Sequence, residues 1–292
     1  MPKAVLGILT TYPDGSSCRG PRWPQWRSFA QLIRRGNEEG VLVYVFSPNG
    51  IDWTSGRVRG WRCGPAGTPA NRWVRRTFPF PDFVYNRVPT RIAENRQSVR
   101  QTLRMLRRRL GDQFGDKVFN PHYLNKSMLN RALNRDETVS AHVPATAPLR
   151  DSARLQRFVA QHGRVYLKAA CGSLGNHIME LTPSTRGRWR LRYNYGHDRT
   201  RVAYFNTWSG VWDMVARLSR GRLFLMQQAI PLARADGRPF DLRLLVQKRS
   251  DGEWQFTGGA ARVAGPGQIT THVPRGGRRM AMMTALEEAF GE

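Results

Sequence analysis

Lys168 ends an apolar run, Val165-Tyr166-Leu167-Lys168, and is followed by small residues, Ala169-Ala170-Cys171-Gly172-Ser173-Leu174-Gly175. A strand-borne ammonium beside a glycine loop suits phosphate oxygens, because glycines let backbone N–H groups approach an anion closely. The order is wrong for a Walker A loop, which needs Gly-Lys-Ser/Thr opening a helix. Taken alone, the segment also fits a plain glycine hairpin. A second segment, Leu225-Met226-Gln227-Gln228-Ala229-Ile230-Pro231, is a buried-looking strand ending in amides and a proline. Such an end leaves backbone groups that can read a base edge, and it equally fits an ordinary strand terminus. The third, Phe240-Asp241-Leu242-Arg243, sets an acid and an arginine on one strand face, since alternate residues share a side. That pattern suits a polar cleft or a cross-strand ion pair. Arg262 lies on a later apolar run, and Gln268 to His272 reads as a strand leading into the Gly276-Gly277 turn.

The elements that must position these groups fall into two regimes. Residues 4–9 and 41–46 are apolar and β-branched, and between them Phe29, Leu32 and Ile33 recur at helical spacing before Gly36. This is a β-α-β unit and implies a parallel sheet. Strands at 83–88 and 117–120 and helices over 91–110 and 125–134 extend it, whereas residues 50–77 give no assignable pattern. Beyond residue 140 the spacing becomes strand-rich and antiparallel, with helices at 155–162, 208–218 and 280–290 and separate strands at 254–257 and 260–264.

Composition bounds the function. The net charge is +26, with 47 basic residues of which only Lys3, Lys117, Lys126, Lys168 and Lys248 are lysines. The arginines are scattered. The one dense cluster is Arg104, Arg107, Arg108 and Arg109, and no segment interleaves aromatics with charge as dedicated nucleic-acid binders do. Nucleic acid is therefore not expected as the main partner. Cys18, Cys63 and Cys171 have no zinc spacing, and so sparse a count suits a reducing cytoplasm. No run of about 18 apolar residues is present to cross a membrane.

The sequence of lysine loop, amide hinge, Asp-x-Arg strand, lone arginine and paired glycines resembles the ATP-grasp superfamily. The resemblance is to its YheC/YheD-like branch, the spore-coat-associated proteins of spore-forming bacteria. Phe119 to Lys126 and Val143-Pro144-Ala145-Thr146 share it, and it covers roughly residues 80–290.

The resemblance implies an α/β (α+β) fold, with an N-terminal parallel α/β lobe followed by two mixed or antiparallel lobes clasping a nucleotide. The expected bounds are 1–120, 121–225 for the small lobe with the lysine loop, and 226–292 for a C-terminal lobe that is incomplete. It also implies ATP bound by Lys126, Lys168, Gly172, Ser173, Gly175, Gln227, Gln228, Ala229, Ile230 and Asp241. Arg243 and Arg262 line an acyl-phosphate site, and Gly276 and Gly277 help hold the acceptor. The implied activity is carboxylate–amine ligation, with the substrate pair unspecified. Mg²⁺ is implied as well, but no ligand set for it stands out. Asp241 is the one strong acidic candidate, and Arg243 is expected to compete for its charge. Departures from the branch are Ala169 after Lys168, Gln228 at the hinge and His272 before the glycines. The chain therefore reads either as a ligase or a truncated form of one, or as a silent ATP-grasp scaffold with spore-coat proteins as partners.

Overall fold

A computed structural model describes residues 2–11, 25–64, 73–113, 115–124, 126–170, 177–195, 199–249 and 251–291. The chain divides into two compact units, Met1–Tyr123 and Leu124–Glu292.

The first unit is built on β1 (Ala4–Leu9), α1 (Trp26–Glu38), β2 (Val41–Asp52), β3 (Arg57–Cys63), β4 (Trp73–Pro79), β5 (Phe83–Asn86), α2 (Arg91–Glu94), α3 (Gln97–Leu110) and β6 (Val118–Phe119). Its sheet runs in the order β4-β3-β2-β1-β5-β6. Strands β2, β1, β5 and β6 pair in parallel, as the β-α-β reading requires. The stretch that gave no pattern in the sequence supplies β3 and β4, an antiparallel addition to β2. Both faces of the sheet are covered. Val43 and Val45 turn toward Phe29, Ala30 and Ile33 of α1. Tyr44 and Phe46 turn the other way, toward the cluster holding Val99, Leu103 and Leu106 of α3. Helix α1 lies so close to β2 that a Cβ at Gly36 would sit 2.3 Å from Val43 Cγ2.

The second unit contains α4 (Lys126–Leu133), α5 (Glu137–Ser140), β7 (Thr146–Pro148), α6 (Ser152–His162), β8 (Val165–Ala169), β9 (Ile178–Pro183), β10 (Trp189–Tyr195), β11 (Arg199–Phe205), α7 (Trp208–Ser219), β12 (Phe224–Gln228), β13 (Arg234–Ala235), β14 (Arg238–Lys248), β15 (Trp254–Val263), β16 (Arg278–Met280) and α8 (Met282–Phe290). One sheet, β11-β10-β9-β8-β12-β7, is antiparallel throughout, and a second runs β13-β14-β15-β16. Helix α6 starts on Asp151, whose carboxylate accepts from Arg154 N at 2.7 Å, and α7 starts on the Thr207 hydroxyl. Both helices bury Leu155, Val159, Val211 and Val215 against Val165, Leu167, Met179, Leu181, Leu191 and Met226 on one face of the first sheet.

Two expectations are corrected. Residues 254–263 form one strand, not two, because β14 pairs with them continuously past a bulge near Leu245. Gln268 to His272 is not a strand; it leads into a single 3₁₀ turn, Val273–Arg275, whose cap Gly276 takes φ +80°. Beyond the stretches paired by β13 and β16, β14 and β15 continue as a two-stranded ribbon that leaves Leu244, Leu245, Val246, Trp254 and Phe256 exposed.

Replacing Leu181 by alanine removes a fully buried side chain from the β9 core. It is expected to cost roughly 2–5 kcal/mol, read as a lowered urea midpoint.

Candidate functional site

The strand alternation that buries one face of the six-stranded sheet turns the opposite set of residues outward. Tyr166 and Lys168 on β8, Ile178 and Glu180 on β9, Arg192 on β10 and Gln227 on β12 all point away from α6 and α7. They line a cavity of about 640 Å³, closed from the other side by residues 230–241 and 264–272.

Register aligns the polar members in a row. Arg192 pairs with Glu180, Glu180 with Tyr166, Tyr166 with Gln227 and Gln227 with Thr146, crossing five strands. Hydrogen bonds join most of the row. Tyr166 Oη donates to Glu180 Oε2 at 3.0 Å, and Arg192 Nη1 donates to Glu180 Oε1 at 3.3 Å. Gln227 Nε2 donates to Thr146 Oγ1 at 3.0 Å, so its Oε1 faces Lys168 and accepts from Nζ at 2.6 Å. Burial, then the Glu180 carboxylate, pushes the Tyr166 phenol up to about 12. Arg192 reaches onward to the Gly267 carbonyl at 2.7 Å, and Thr200 Oγ1 donates to Gln268 Oε1 at 3.1 Å. These two bonds hold the 264–272 loop against the β10–β11 strands.

Lys168 is the central cation. Burial lowers its pKa, the nearby Lys126 ammonium lowers it further, and Asp241 opposes both. Lys126 opens α4 and donates from Nζ to the Ala169 carbonyl at 3.3 Å, one residue from Lys168. Two ammonium groups held this close fit an anion between them. The loop residues Gly172, Ser173 and Gly175 lie outside the described residues.

At the hinge, Gln228 N donates to Ala145 O at 2.9 Å and Ala229 N donates to Arg164 O at 3.0 Å. Both amides are therefore committed to the protein. The Ile230 N–H has no partner among the described residues.

Asp241 lines the cavity, but its carboxylate is fully engaged. Arg262 donates to it twice, Nε to Oδ1 at 2.8 Å and Nη2 to Oδ2 at 2.6 Å, and Thr271 Oγ1 adds a bond at 2.9 Å. The two residues are direct cross-strand neighbours on β14 and β15. The arginine competing for Asp241 is thus Arg262 and not Arg243. Arg243 sits opposite Ala260 on an exposed stretch of β14 and does not line the cavity.

Of the paired glycines, Gly276 is needed for its φ of +80° and Gly277 for close packing. A Cβ at Gly277 would lie 2.6 Å from the Thr271 carbonyl, and one at Gly265 would lie 2.5 Å from the Gly276 carbonyl. His272, just before the turn, lines the cavity and has a buried Nδ1 with no hydrogen-bond partner among the described residues. Burial holds its pKa below the ordinary value, helped by Arg262, Lys168 and Arg275 and opposed by Asp241.

Of the candidate residues, Lys168, Gln227, Gln228, Ile230 and Asp241 line the cavity, whereas Lys126, Ala229, Arg243, Arg262, Gly276 and Gly277 are not among its lining residues; His272, to which the sequence assigns no site role, lines it as well. Tyr166, Glu180, Arg192 and the 264–272 loop were missed. The signal for the first three was available, since each is a polar residue at an alternate position in an otherwise apolar strand.

The fold agrees with the comparisons. Residues 115–292 match the family model described as YheC/D-like ATP-grasp. The chain belongs to the YheC/D-like ATP-grasp family. The endospore coat-associated protein YheD of Bacillus subtilis is 26% identical over 85% of this chain and 53% of its own length. Its YheC counterpart is 20% identical over 80% of this chain and 61% of its own length. The chain thus spans little more than half the length of the curated relatives it matches. Among solved structures, D-alanyl-alanine synthetase A from Vibrio cholerae aligns with a TM-score of 0.45 at 10% identity, covering 91% of this chain and 69% of that one.

The residues present could take a nucleotide: Lys168 and Ile230 line the cavity, Lys126 lies near Lys168, and the volume is about 640 Å³. The cavity does not fit Mg²⁺ on the same terms. The carboxylates that line it, Glu180 and Asp241, are bound by Tyr166 and arginines, and no three His, Cys, Asp or Glu side chains cluster as a metal site among the described residues. Glu288 accepts from the Asp236 amide at 2.9 Å rather than reaching the cavity, and Glu292 lies outside the described residues.

A double-mutant cycle of Asp241→Asn and Arg262→Gln, read by urea denaturation, is expected to give a coupling of roughly 1–3 kcal/mol. The same cycle with Arg243→Gln in place of Arg262→Gln should give a coupling near zero.

The lowered His272 pKa means the unfolded chain binds more protons in the window between the folded value and the ordinary histidine value. Stability present above about 6.5 is therefore lost as pH falls through the folded value. His272→Asn should flatten that loss in urea midpoints measured from neutral to mildly acid pH. His177, shifted in the same direction, leaves a residual slope.

Proposed function

We propose that this chain binds ATP in the cavity of its second unit and uses it in carboxylate–amine ligation. The observation that carries the proposal is the convergence of Lys168 and Lys126 beside a hinge whose Ile230 amide is free. The adenine edge meets the Ile230 N–H, and the phosphates lie along the lysines. Gln227, fixed by Thr146, holds the Lys168 ammonium in place.

In the reaction, a substrate carboxylate oxygen attacks the γ-phosphorus, the bond to the β-phosphate bridge breaks, and ADP leaves. The amine nitrogen then attacks the acyl carbon, loses a proton and expels inorganic phosphate. Charge moves between oxygens in the first step, so cations placed in advance lower its barrier. Lys168 and Lys126 are those cations here. Arg262 steadies Asp241 at the cavity wall, while Gly276 and Gly277 shape the turn next to His272, where an acceptor would lie. The names of the relatives suggest a place among endospore-coat proteins.

A second reading, nucleotide binding with little or no turnover, is favoured by one observation. The cavity carboxylates are already paired, which leaves the phosphates short of metal-holding oxygens. Binding tolerates that shortage better than catalysis, because the transition state leans harder on the metal than the ground state does.

Titration with ATP and a non-hydrolysable analogue should give saturable binding that Lys168→Ala weakens at least about ten-fold, the equivalent of 1.4 kcal/mol. Equal affinity in parent and variant would remove the nucleotide assignment. ADP release, with magnesium and a panel of carboxylates and amines, then separates the two readings.

A further inference from the structure

Arginine is abundant on this chain, and part of it is engaged within the fold. On α1, Arg35 pairs with Glu38 at 2.9 Å and Glu39 at 2.5 Å, one turn away. At the end of α3, Arg107 lies 3.6 Å from the Asp112 carboxylate, and Arg109 donates to the Trp53 carbonyl at 2.6 Å while lying over the Phe80 ring. Two of the four arginines that form the dense cluster in the sequence are therefore engaged within the first unit.

The remaining pair belongs to a different set. Arg96, Arg100, Arg104 and Arg108 recur every four residues, from the N-cap of α3 to its last turn. All four are exposed, and none of their side chains has an ion-pair or hydrogen-bond partner among the described residues. The i, i+4 spacing makes them neighbours along one ridge about 18 Å long, at 1.5 Å per residue. Val99, Leu103 and Leu106 are buried on the sheet; Arg104 and Arg108 turn away from that side, while Arg96 and Arg100 lie along its exposed edge.

This arrangement works against the helix that carries it. Like charges at i, i+4 repel, and Arg96 and Arg100 sit at the helix end whose dipole favours anions. No acid lies in the first turn to offset them. An anionic partner relieves both conflicts together.

We propose that the α3 ridge binds duplex nucleic acid through its phosphate backbone, without reading sequence. Guanidinium groups match phosphate oxygens in bidentate pairs. A row of them winding slowly around one side of a rigid helix meets successive phosphates of a stiff, evenly charged polymer. The ridge carries no aromatic side chain on which a base could stack, so a single strand gains nothing from it. Nor does it carry large apolar anchors to hold an acidic peptide.

The test measures binding of the full chain to a labelled 20-base-pair DNA duplex by fluorescence anisotropy across a salt series. The parent is expected to bind in the range of roughly 1–100 µM near physiological salt, with affinity falling steeply as salt rises. R96Q/R100Q/R104Q/R108Q should lose at least about ten-fold at 0.1 M salt and flatten the salt slope by about 3–4, at roughly 0.9 per phosphate contact. The charge-matched control R131Q/R135Q/R154Q/R157Q changes exposed arginines of the second unit and should lose far less. Glutamine keeps helix propensity and removes the repulsion, so the ridge variant should melt no lower than the parent. If it does not fold, R100Q/R104Q serves instead, with about half the change in slope. Absence of duplex binding by the parent, equal losses in ridge and control variants, or displacement by poly-glutamate as effective as by unlabelled duplex would each overturn the proposal.

Discussion

A one-residue slip of β8 against β9 or β12 would drive Tyr166 and Lys168 into the core under α6 and α7, and turn Val165, Leu167 and Ala169 out into the cavity. The fully buried Val165 and Leu167 oppose that slip, since both would lose their apolar surroundings. The core thus sets the register, and the register sets the row Arg192–Glu180–Tyr166–Gln227–Thr146. Each member of the row holds the next at hydrogen-bonding distance or by direct strand pairing. The site is a by-product of packing on the far face of the same sheet.

The row also explains why so many charges tolerate partial burial. Glu180 is nearly inaccessible, yet both its oxygens are bound, one by a phenol and one by a guanidinium. Asp241 follows the same rule with Arg262 and Thr271. Lys168 is the exception, because its main neighbour is a neutral amide and the next cation, Lys126, repels it. Among carboxylates held by cations, Lys168 is held by a neutral amide, and an incoming polyphosphate would supply the countercharge.

Much of this was legible in the chain. The β-α-β spacing gave the parallel sheet, the strand ends gave Lys168 and Gln227, and the polar pair on one strand face gave Asp241. What could not be read were pairings between distant residues. Arg262 lies 21 residues from Asp241, and only the β14–β15 register makes it the partner in place of the adjacent Arg243. Gly258 and Gly259 break the apolar alternation and made β15 look like two strands. In β3 and β4, arginines occupy positions where a strand would show apolar side chains, so Val58 and Phe78 alone could not reveal the period.

Positive charge is used in two opposed ways. In the second unit, two arginines are structural: Arg192 and Arg262 neutralise carboxylates, and Arg192 ties a loop to the sheet by its second nitrogen. Each such contact draws charge inward and leaves little field outside. The ridge of α3 does the reverse, since repulsion along the row, with no acid to offset it, projects field into solvent. Net charge alone cannot distinguish these uses, because an arginine counts the same in both. Only the placement of acids separates them, and with 21 acidic residues against 47 basic ones, where those acids go decides which arginines remain available to a partner.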